Sequence, residues 1–311
     1  MCGIIGILSR QGSAADRAME ALRRLEYRGY DSAGIATLDD GKLDRRRAAG
    51  KLSNLQSLLI ETPIAGSVVS GHTRWATHGA ANTQNAHPHV SGPVALVHNG
   101  IIENFRHLRT RLENAGHVFE TETDTETIAH LISSHLNGGA DPVSAVRSSL
   151  SDLEGAFALS ILFEGHDDLL IGARKGSPLV IGVGDDEMFL GSDALAVAPF
   201  TNRVIYLEEG DWCVLHHDAY AIYDESGTEV SLPQSLVQAA GAAVEKGNYR
   251  HFMQKEIFEQ PDSTARTIGA YVNALEQTIK LPGDEAAIDW ANVTHIHMDA
   301  CGTAYYATCV A

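Results

Sequence analysis

The sequence predicts an α+β protein in which two β-sheets pack face to face beneath a few long helices, followed by the opening of a separate α/β unit. Three observations carry this. Ala156–Phe163, Leu169–Ala173, Leu179–Val183, Met188–Leu190, Arg203–Leu207 and Trp212–Leu215 are short apolar runs separated by Gly, Asp and Pro turns. With the strands that precede them they suffice for two sheets, whose outer faces the long amphipathic segments can cover. Near the end the character changes: Leu232–Gly247, rich in Gln, Ala and Gly, reads as a linker, and a strand, a glycine loop and a helix follow it.

In chain order, Ile4–Leu8 is an apolar strand that begins two residues after Cys2. Ala14–Leu25 carries Ala18, Ala21, Leu22 and Leu25 at helical spacing. The loop Glu26–Ser32 feeds a β-run at Ala33–Leu38, Lys51–Leu59 is a short helix, and Ser67–Gly71 is a strand that delivers the polar segment His72-Thr73-Arg74-Trp75-Ala76-Thr77-His78-Gly79. Val94–His98 is a strand ending in Asn99-Gly100. Asn-Gly between apolar runs is the strongest short hairpin signal, yet Glu103–Asn114 looks helical and favours a strand–turn–helix join instead. In Glu122-Thr123-Asp124-Thr125-Glu126-Thr127, Thr123 and Glu126 fit a capping box ahead of a helix at Ile128–Leu136, leaving Asp124 over. Beyond the linker, a helix at His251–Gln260 is expected to stop at Pro261, a second to run from Ser263 to Thr278, and Val293–Met298 to form a strand leading through Asp299–Thr303 into a helix at Tyr305–Val310. That opening is the kind that places a phosphate at a helix start.

The chemistry concentrates in four places. With Met1 removed, Cys2 supplies a thiol nucleophile and, in its own α-amine of pKa ~7.7–8.0, a base for it. Arg74, just past a strand end, offers a rigid donor fork for a carboxylate, although ordinary surface ion pairs use the same residue. An Asn99 amide and a Gly100 N–H aimed at one point would make an oxyanion hole. A carboxylate at Asp124 could take an ammonium group. His72, His78, His87, His89 and His98 cluster in sequence, and His87-Pro88-His89 raises a metal site as an alternative; no carboxylate or Cys stands among them at ligand spacing, so none is expected. No cofactor is implied.

Composition narrows the partners. The 311 residues are 44% hydrophobic, enough for a sizeable core, and 23 Lys+Arg against 40 Asp+Glu give a net charge of −17. That charge disfavours nucleic acid or an anionic membrane as the main partner. Cys2, Cys213, Cys301 and Cys309 show neither metal nor disulfide spacing, the first nineteen residues hold no apolar signal core, and no apolar run approaches a membrane span, so a cytoplasmic protein is expected.

Met1-Cys2-Gly3-Ile4, Arg74-Trp75-Ala76-Thr77-His78-Gly79, His98-Asn99-Gly100 and Glu122-Thr123-Asp124-Thr125-Glu126 occur in the order and spacing of the class II glutamine amidotransferases, and the chain resembles that family. The resemblance implies a four-layer αββα sandwich of the N-terminal nucleophile hydrolase type. Leu25–Gly34, Tyr249–Pro261 and Ala300-Cys301-Gly302-Thr303 resemble the branch of the family in which a sugar isomerase domain follows the amidotransferase domain, rather than the branches that form phosphoribosylamine or asparagine. It implies domains at residues 2–235 (glutaminase), 236–247 (linker) and 248–311 (start of the isomerase domain), with the chain ending before that second domain's sheet could be completed.

Carried over by position, the resemblance implies Cys2 as nucleophile, Asn99 and Gly100 as oxyanion donors, Arg74, Thr77 and His78 around the α-carboxylate of L-glutamine, and Asp124 on its α-ammonium. Trp75 resembles a residue that closes an ammonia passage, His87 one that lines the site, and Thr303 a sugar-phosphate contact, with Ala304 where the family often has Ser. Fructose 6-phosphate would bind only with the rest of the isomerase domain, through which such enzymes also form homodimers. Two readings outside this one are a metal-dependent hydrolase built on the histidines and a non-catalytic domain that binds glutamine without cleaving it.

Overall fold

The computed structural model describes residues 2–10, 13–237, 249–273, 278–279, 292–300 and 303–310. The chain divides into two compact units, residues 1–245 and 246–311.

The first unit is the expected αββα sandwich. One sheet has eight antiparallel strands: β1 (Gly3–Ser9), β2 (Ser32–Asp39), β3 (Lys42–Ala49), β4 (Val68–Arg74), β9 (Val180–Val183), β10 (Glu187–Gly191), β11 (Arg203–Tyr206) and β15 (Ser235–Leu236), in the order β15-β11-β9-β10-β1-β4-β2-β3. The other has seven: β5 (His89–Ser91), β6 (Val94–Ile102), β7 (Gly155–Phe163), β8 (Leu170–Lys175), β12 (Trp212–Leu215), β13 (Tyr220–Tyr223) and β14 (Glu229–Val230), in the order β14-β13-β12-β8-β7-β6-β5. Helices α1 (Ala14–Leu25) and α2 (Leu52–Glu61) and the short α6 (Ala194–Val197) cover the first sheet; α3 (Phe105–Asn114), α4 (Thr125–Asn137) and α5 (Pro142–Asp152) cover the second.

The period of two along a strand decides where each side chain goes. On β1, Ile4 and Leu8 enter the core between the sheets while Ile5 and Ile7 face α1, so the run is apolar throughout because both its faces are buried. On β4, Val68 begins an inward file that continues with Ser70, whose hydroxyl donates to that of Ser160 on β7 at 2.9 Å, across the fully buried space between the sheets. On β6, Ala95 and Val97 face inward, and Val94 and Leu96 face the helices. Asn99 therefore continues the inward file, and His98 belongs to the helix side.

Asn99-Gly100 departs from expectation. It is neither a hairpin turn nor a strand–helix join but lies inside β6, paired with Ala158 and Phe157 of β7, and α3 starts only at Phe105. The long β7 extends the ladder past the Asn-Gly signal, and tertiary pairing overrides local turn chemistry. Gly100 admits this: its φ is +127°, and a Cβ there would lie 1.9 Å from the Ala156 carbonyl oxygen.

In the second unit the break expected at Pro261 is absent: one helix, α7, runs from Phe252 to Tyr271 through Pro261. A proline removes one backbone donor and crowds one carbonyl but does not by itself end a helix. Val272–Asn273 pairs with Thr278–Ile279, and residues 293–298 are not a strand, since among the described residues no neighbouring strand offers them a ladder. The final helix spans Thr303–Val310. Most of the linker, and Cys301-Gly302, lie outside the described residues.

The Ser70–Ser160 pair gives a test of the sandwich. Ser70→Ala strands the buried Ser160 hydroxyl and costs about 1–3 kcal/mol, Ser160→Ala leaves Ser70 only the Ser160 carbonyl at 3.5 Å, and the double variant costs less than the sum of the two. Urea unfolding of the four proteins measures this.

Candidate active site

Cys2 sits at the start of β1, between β4 and β10. Its Sγ accepts the Trp75 N–H at 3.1 Å, and its carbonyl oxygen accepts Asn99 Nδ2 at 3.1 Å from the opposite sheet. The other end of the Asn99 amide, Oδ1, lies 3.0 Å from Nε2 of His72. Since Nδ2 must face the Cys2 carbonyl, His72 is the donor to Oδ1. Burial raises the Cys2 thiol above its ordinary value of 9.0, against the Trp75 N–H and the Arg74 charge, which lower it. A thiol held protonated in this way needs a base to become a nucleophile near neutral pH.

Arg74 closes the inward file of β4. Its guanidinium donates to the Ala80 carbonyl at 3.1 Å and to the His78 carbonyl, which leaves the other donors of the fork for a ligand. Burial lowers its pKa, while Cys2, Asp124 and Asp31 act to raise it. Trp75 is 47% exposed and meets the Tyr30 ring edge-on at 6.0 Å. Asp124 is buried at the start of α4, and its Oδ2 accepts the Ile102 N–H at 2.8 Å, tying the end of β6 to α4.

The expected capping box is only half formed. Thr123 Oγ1 accepts the Glu126 N–H at 3.4 Å, but the Glu126 carboxylate turns back to the N–H groups of Glu120 and Thr121 at 2.8 and 2.7 Å. Those bonds and His130 hold Glu126 down to about 2, against its burial.

The histidines form a buried group in which His72 and His87 stack at 4.1 Å and His87 meets His89 edge-on at 4.8 Å. Their partners are neutral: His98 Nδ1 lies 3.0 Å from Thr125 Oγ1, His87 Nδ1 accepts the His98 N–H at 3.2 Å, and His89 Nε2 lies 3.3 Å from Thr123 Oγ1. Burial pushes His72 down to about 3 and lowers His87, His89 and His98 as well. Among the described residues no group of three or more His, Cys, Asp or Glu is disposed to hold a metal ion.

Cys2, Arg74, Trp75, Thr77, His78, His87, Asn99, Gly100 and Asp124 all line one cavity of about 290 Å³. Thr303 belongs to the second unit, at the start of its last helix. The cavity also takes Arg28, Ile101, Ser177 and Pro178, which sequence reasoning did not single out as site residues. Arg28 lies in the loop Glu26–Ser32, whose composition suits a surface turn, and Ser177-Pro178 follow β8 with no signal beyond a turn. A larger hollow of about 670 Å³, between α5 and the turns after β8 and β13, contains none of the chemistry-bearing groups named above.

Residues 72–199 match the family model for a glutamine amidotransferase domain. The matched segment is a glutamine amidotransferase domain, and the first unit has the fold of the N-terminal nucleophile amidotransferases. Over 307 residues it is 55% identical to the glutamine–fructose-6-phosphate aminotransferase (isomerizing) of Caulobacter vibrioides, a match spanning 99% of this chain and 50% of that protein. The protein of the same name from Zymomonas mobilis is also 55% identical, over 100% of this chain and 51% of its own length. The chain thus spans about half the length of the curated relatives it matches. Among solved structures, the glutamine phosphoribosylpyrophosphate amidotransferase of B. subtilis superposes with a TM-score of 0.60 at 28% identity, covering 76% of this chain and 50% of that one. A glutamine aminotransferase class-II domain protein from Silicibacter pomeroyi shares the fold, with a TM-score of 0.50 at 16% identity.

The neutral histidines make stability depend on acid. A histidine whose folded pKa lies below its unfolded value of about 6.5 binds fewer protons when folded, so its contribution is complete above that pH and is lost as pH falls. Each of His72, His87, His89 and His98 then removes up to about 1.4 kcal/mol per pH unit below 6.5. Urea midpoints should hold steady from pH 7.5 to 6.5 and drop sharply by pH 5.5; a midpoint unchanged at pH 5.5 contradicts the buried neutral group.

Proposed function

We propose that this chain hydrolyses L-glutamine to glutamate and ammonia through a thioester on Cys2. The observation that carries the reading is the hydrogen bond from Asn99 Nδ2 to the Cys2 carbonyl, which sets an amide donor beside the thiol in a cavity that also holds Arg74 and Asp124. Arg74 pairs with the α-carboxylate, with Thr77 and His78 completing that wall, and Asp124 takes the α-ammonium. With Met1 removed, the α-amine of Cys2 accepts the thiol proton and Sγ attacks the side-chain amide carbon. Asn99 Nδ2 and the Gly100 N–H stabilise the oxyanion. The C–N bond breaks, the amine returns the proton to the leaving nitrogen, and ammonia departs. Water, deprotonated by the same amine, then releases glutamate and restores the thiol.

In a protein about twice this length, as the curated relatives are, the ammonia passes to fructose 6-phosphate and yields glucosamine 6-phosphate. The glutaminase part then takes residues 2–235, the linker 236–247, and residues 248–311 begin the sugar isomerase domain, with Thr303 near the sugar phosphate, Trp75 closing the ammonia passage and His87 lining the glutamine site. The complete protein is a homodimer joined through its isomerase domains. A cytoplasmic location suits a nucleophile that must stay a reduced thiol.

Glutamate release by variants tests the reading. Asn99→Ala should lower kcat by about 10²–10³-fold with KM nearly unchanged, the loss expected for one oxyanion donor. Arg74→Ala should act mainly on KM. Equal effects of both on KM alone would remove the oxyanion role.

A further inference from the structure

Arg74 is held from behind by a turn with no regular secondary structure, and that turn is itself clasped by a pair of side chains outside the cavity. Ala80, whose carbonyl takes one Arg74 donor, gives its own N–H to Oε2 of Glu122 at 3.1 Å. Asn85 Nδ2 donates to the same Glu122 oxygen at 3.0 Å and to the Ala80 carbonyl at 3.1 Å. In return the Glu122 N–H donates to Asn85 Oδ1 at 3.1 Å. Every polar atom of the Asn85 amide is thus used between the Ala80 turn and residue 122, and the Asn85 side chain is buried, 2% of the residue being exposed. Gly79 completes the fit: its φ is +76°, and a Cβ there would come within 2.8 Å of Asn85 Nδ2 and 3.0 Å of Glu122 Cβ.

The far side of the clasp is equally fixed. Glu126 binds the N–H groups of Glu120 and Thr121, and Gln84 Nε2 donates to the Glu120 carbonyl. Two residues past Glu122 stands Asp124, anchored to the Ile102 N–H. One short segment therefore carries a cavity carboxylate at Asp124 and, through Glu122, grips the turn that seats the cavity guanidinium.

We infer that Glu122 and Asn85 are positioning residues that set the separation between Arg74 and Asp124, and so select a ligand carrying both a carboxylate and an ammonium on one carbon. This rests on the glutamine reading of the site. Neither residue touches the ligand; both act through the Ala80 turn. Glu122 itself is exposed, but removing it leaves a buried Asn85 donor and the Ala80 N–H without their acceptor, which loosens the turn.

The experiment compares the parent with Glu122→Ala, Glu122→Gln, Asn85→Asp and the double Asn85→Asp/Glu122→Gln. It follows glutamate release and, separately, alkylation of Cys2 by iodoacetamide, which has neither an α-carboxylate nor an α-ammonium. Glu122→Ala should raise KM about tenfold with kcat within about twofold, as expected when ground-state and transition-state binding are lost alike. Cys2 alkylation should stay within twofold of the parent. Glu122→Gln keeps an oxygen able to accept both donors and should fall within about threefold of the parent. Asn85→Asp sets two carboxylates together and should resemble Glu122→Ala, and the double variant, in which the Gln amide can donate to the new carboxylate, should recover part of the loss. A Glu122→Ala KM within twofold of the parent overturns the proposal, as does a parallel fall in iodoacetamide alkylation, which marks general support of the fold. If the parent binds glutamine without releasing glutamate, the catalytic reading fails, and the clasp is judged by the same ratios in dissociation constants.

Discussion

The hydrogen bond from Asn99 Nδ2 to the Cys2 carbonyl joins the two sheets at the cavity end, where the inward files of both turn polar. Deeper in the sandwich those files are apolar, as at Ile4, Val68, Ala95 and Val97, and the sheets are held by burial. Moving toward the cavity, β4 presents Ser70, then His72, then Arg74, while β6 presents Asn99. Each polar residue meets its partner from across the sandwich or from a neighbouring turn. Strand parity thus produces the site: a one-residue slip of β6 would send Asn99 to the helix side and bring His98 inward.

Electrostatics within this frame are unlike those of the chain as a whole. The net charge is −17, yet the cavity wall carries Arg74 and Arg28, and Asp124 is among its lining residues. Behind them the histidines, kept neutral by burial, act as shaped polar filler, and His72 fixes the orientation of the Asn99 amide. The same burial that keeps them neutral raises the Cys2 thiol. In the proposed mechanism, a base within the residue of Cys2 itself resolves that conflict without introducing a second charged side chain into the space between the sheets.

Much of this was legible in the sequence where a single physical signal dominated. The helix Ala14–Leu25 and the strand Trp212–Leu215 have the bounds that their apolar periodicity implies. The residues proposed for glutamine could be named together because motif order brings together groups whose chemistry already makes sense alone, and they line one cavity. What escaped was set by distant partners. Lys42–Ala49 has three consecutive arginines and becomes a strand only as an edge against β2. Pro142–Asp152 carried a local signal that sequence reasoning passed over: Asp141 accepts the Ser144 N–H ahead of a proline in the first turn. Asn99-Gly100 read as a turn because nothing local shows that β7 runs alongside it. The Glu122–Asn85 clasp is a contact between segments 37 residues apart, beyond any spacing rule.

The central claim is that Cys2, freed of Met1, is the nucleophile of a glutamine site. Intact mass of the purified chain before and after treatment with 6-diazo-5-oxo-norleucine, with glutamate release followed in parallel, tests it most directly. The account predicts a chain lacking Met1, one covalent adduct mapping to Cys2, and loss of glutamate release in step with its formation. A chain that lacks Met1, takes up no adduct and leaves glutamine intact would contradict it.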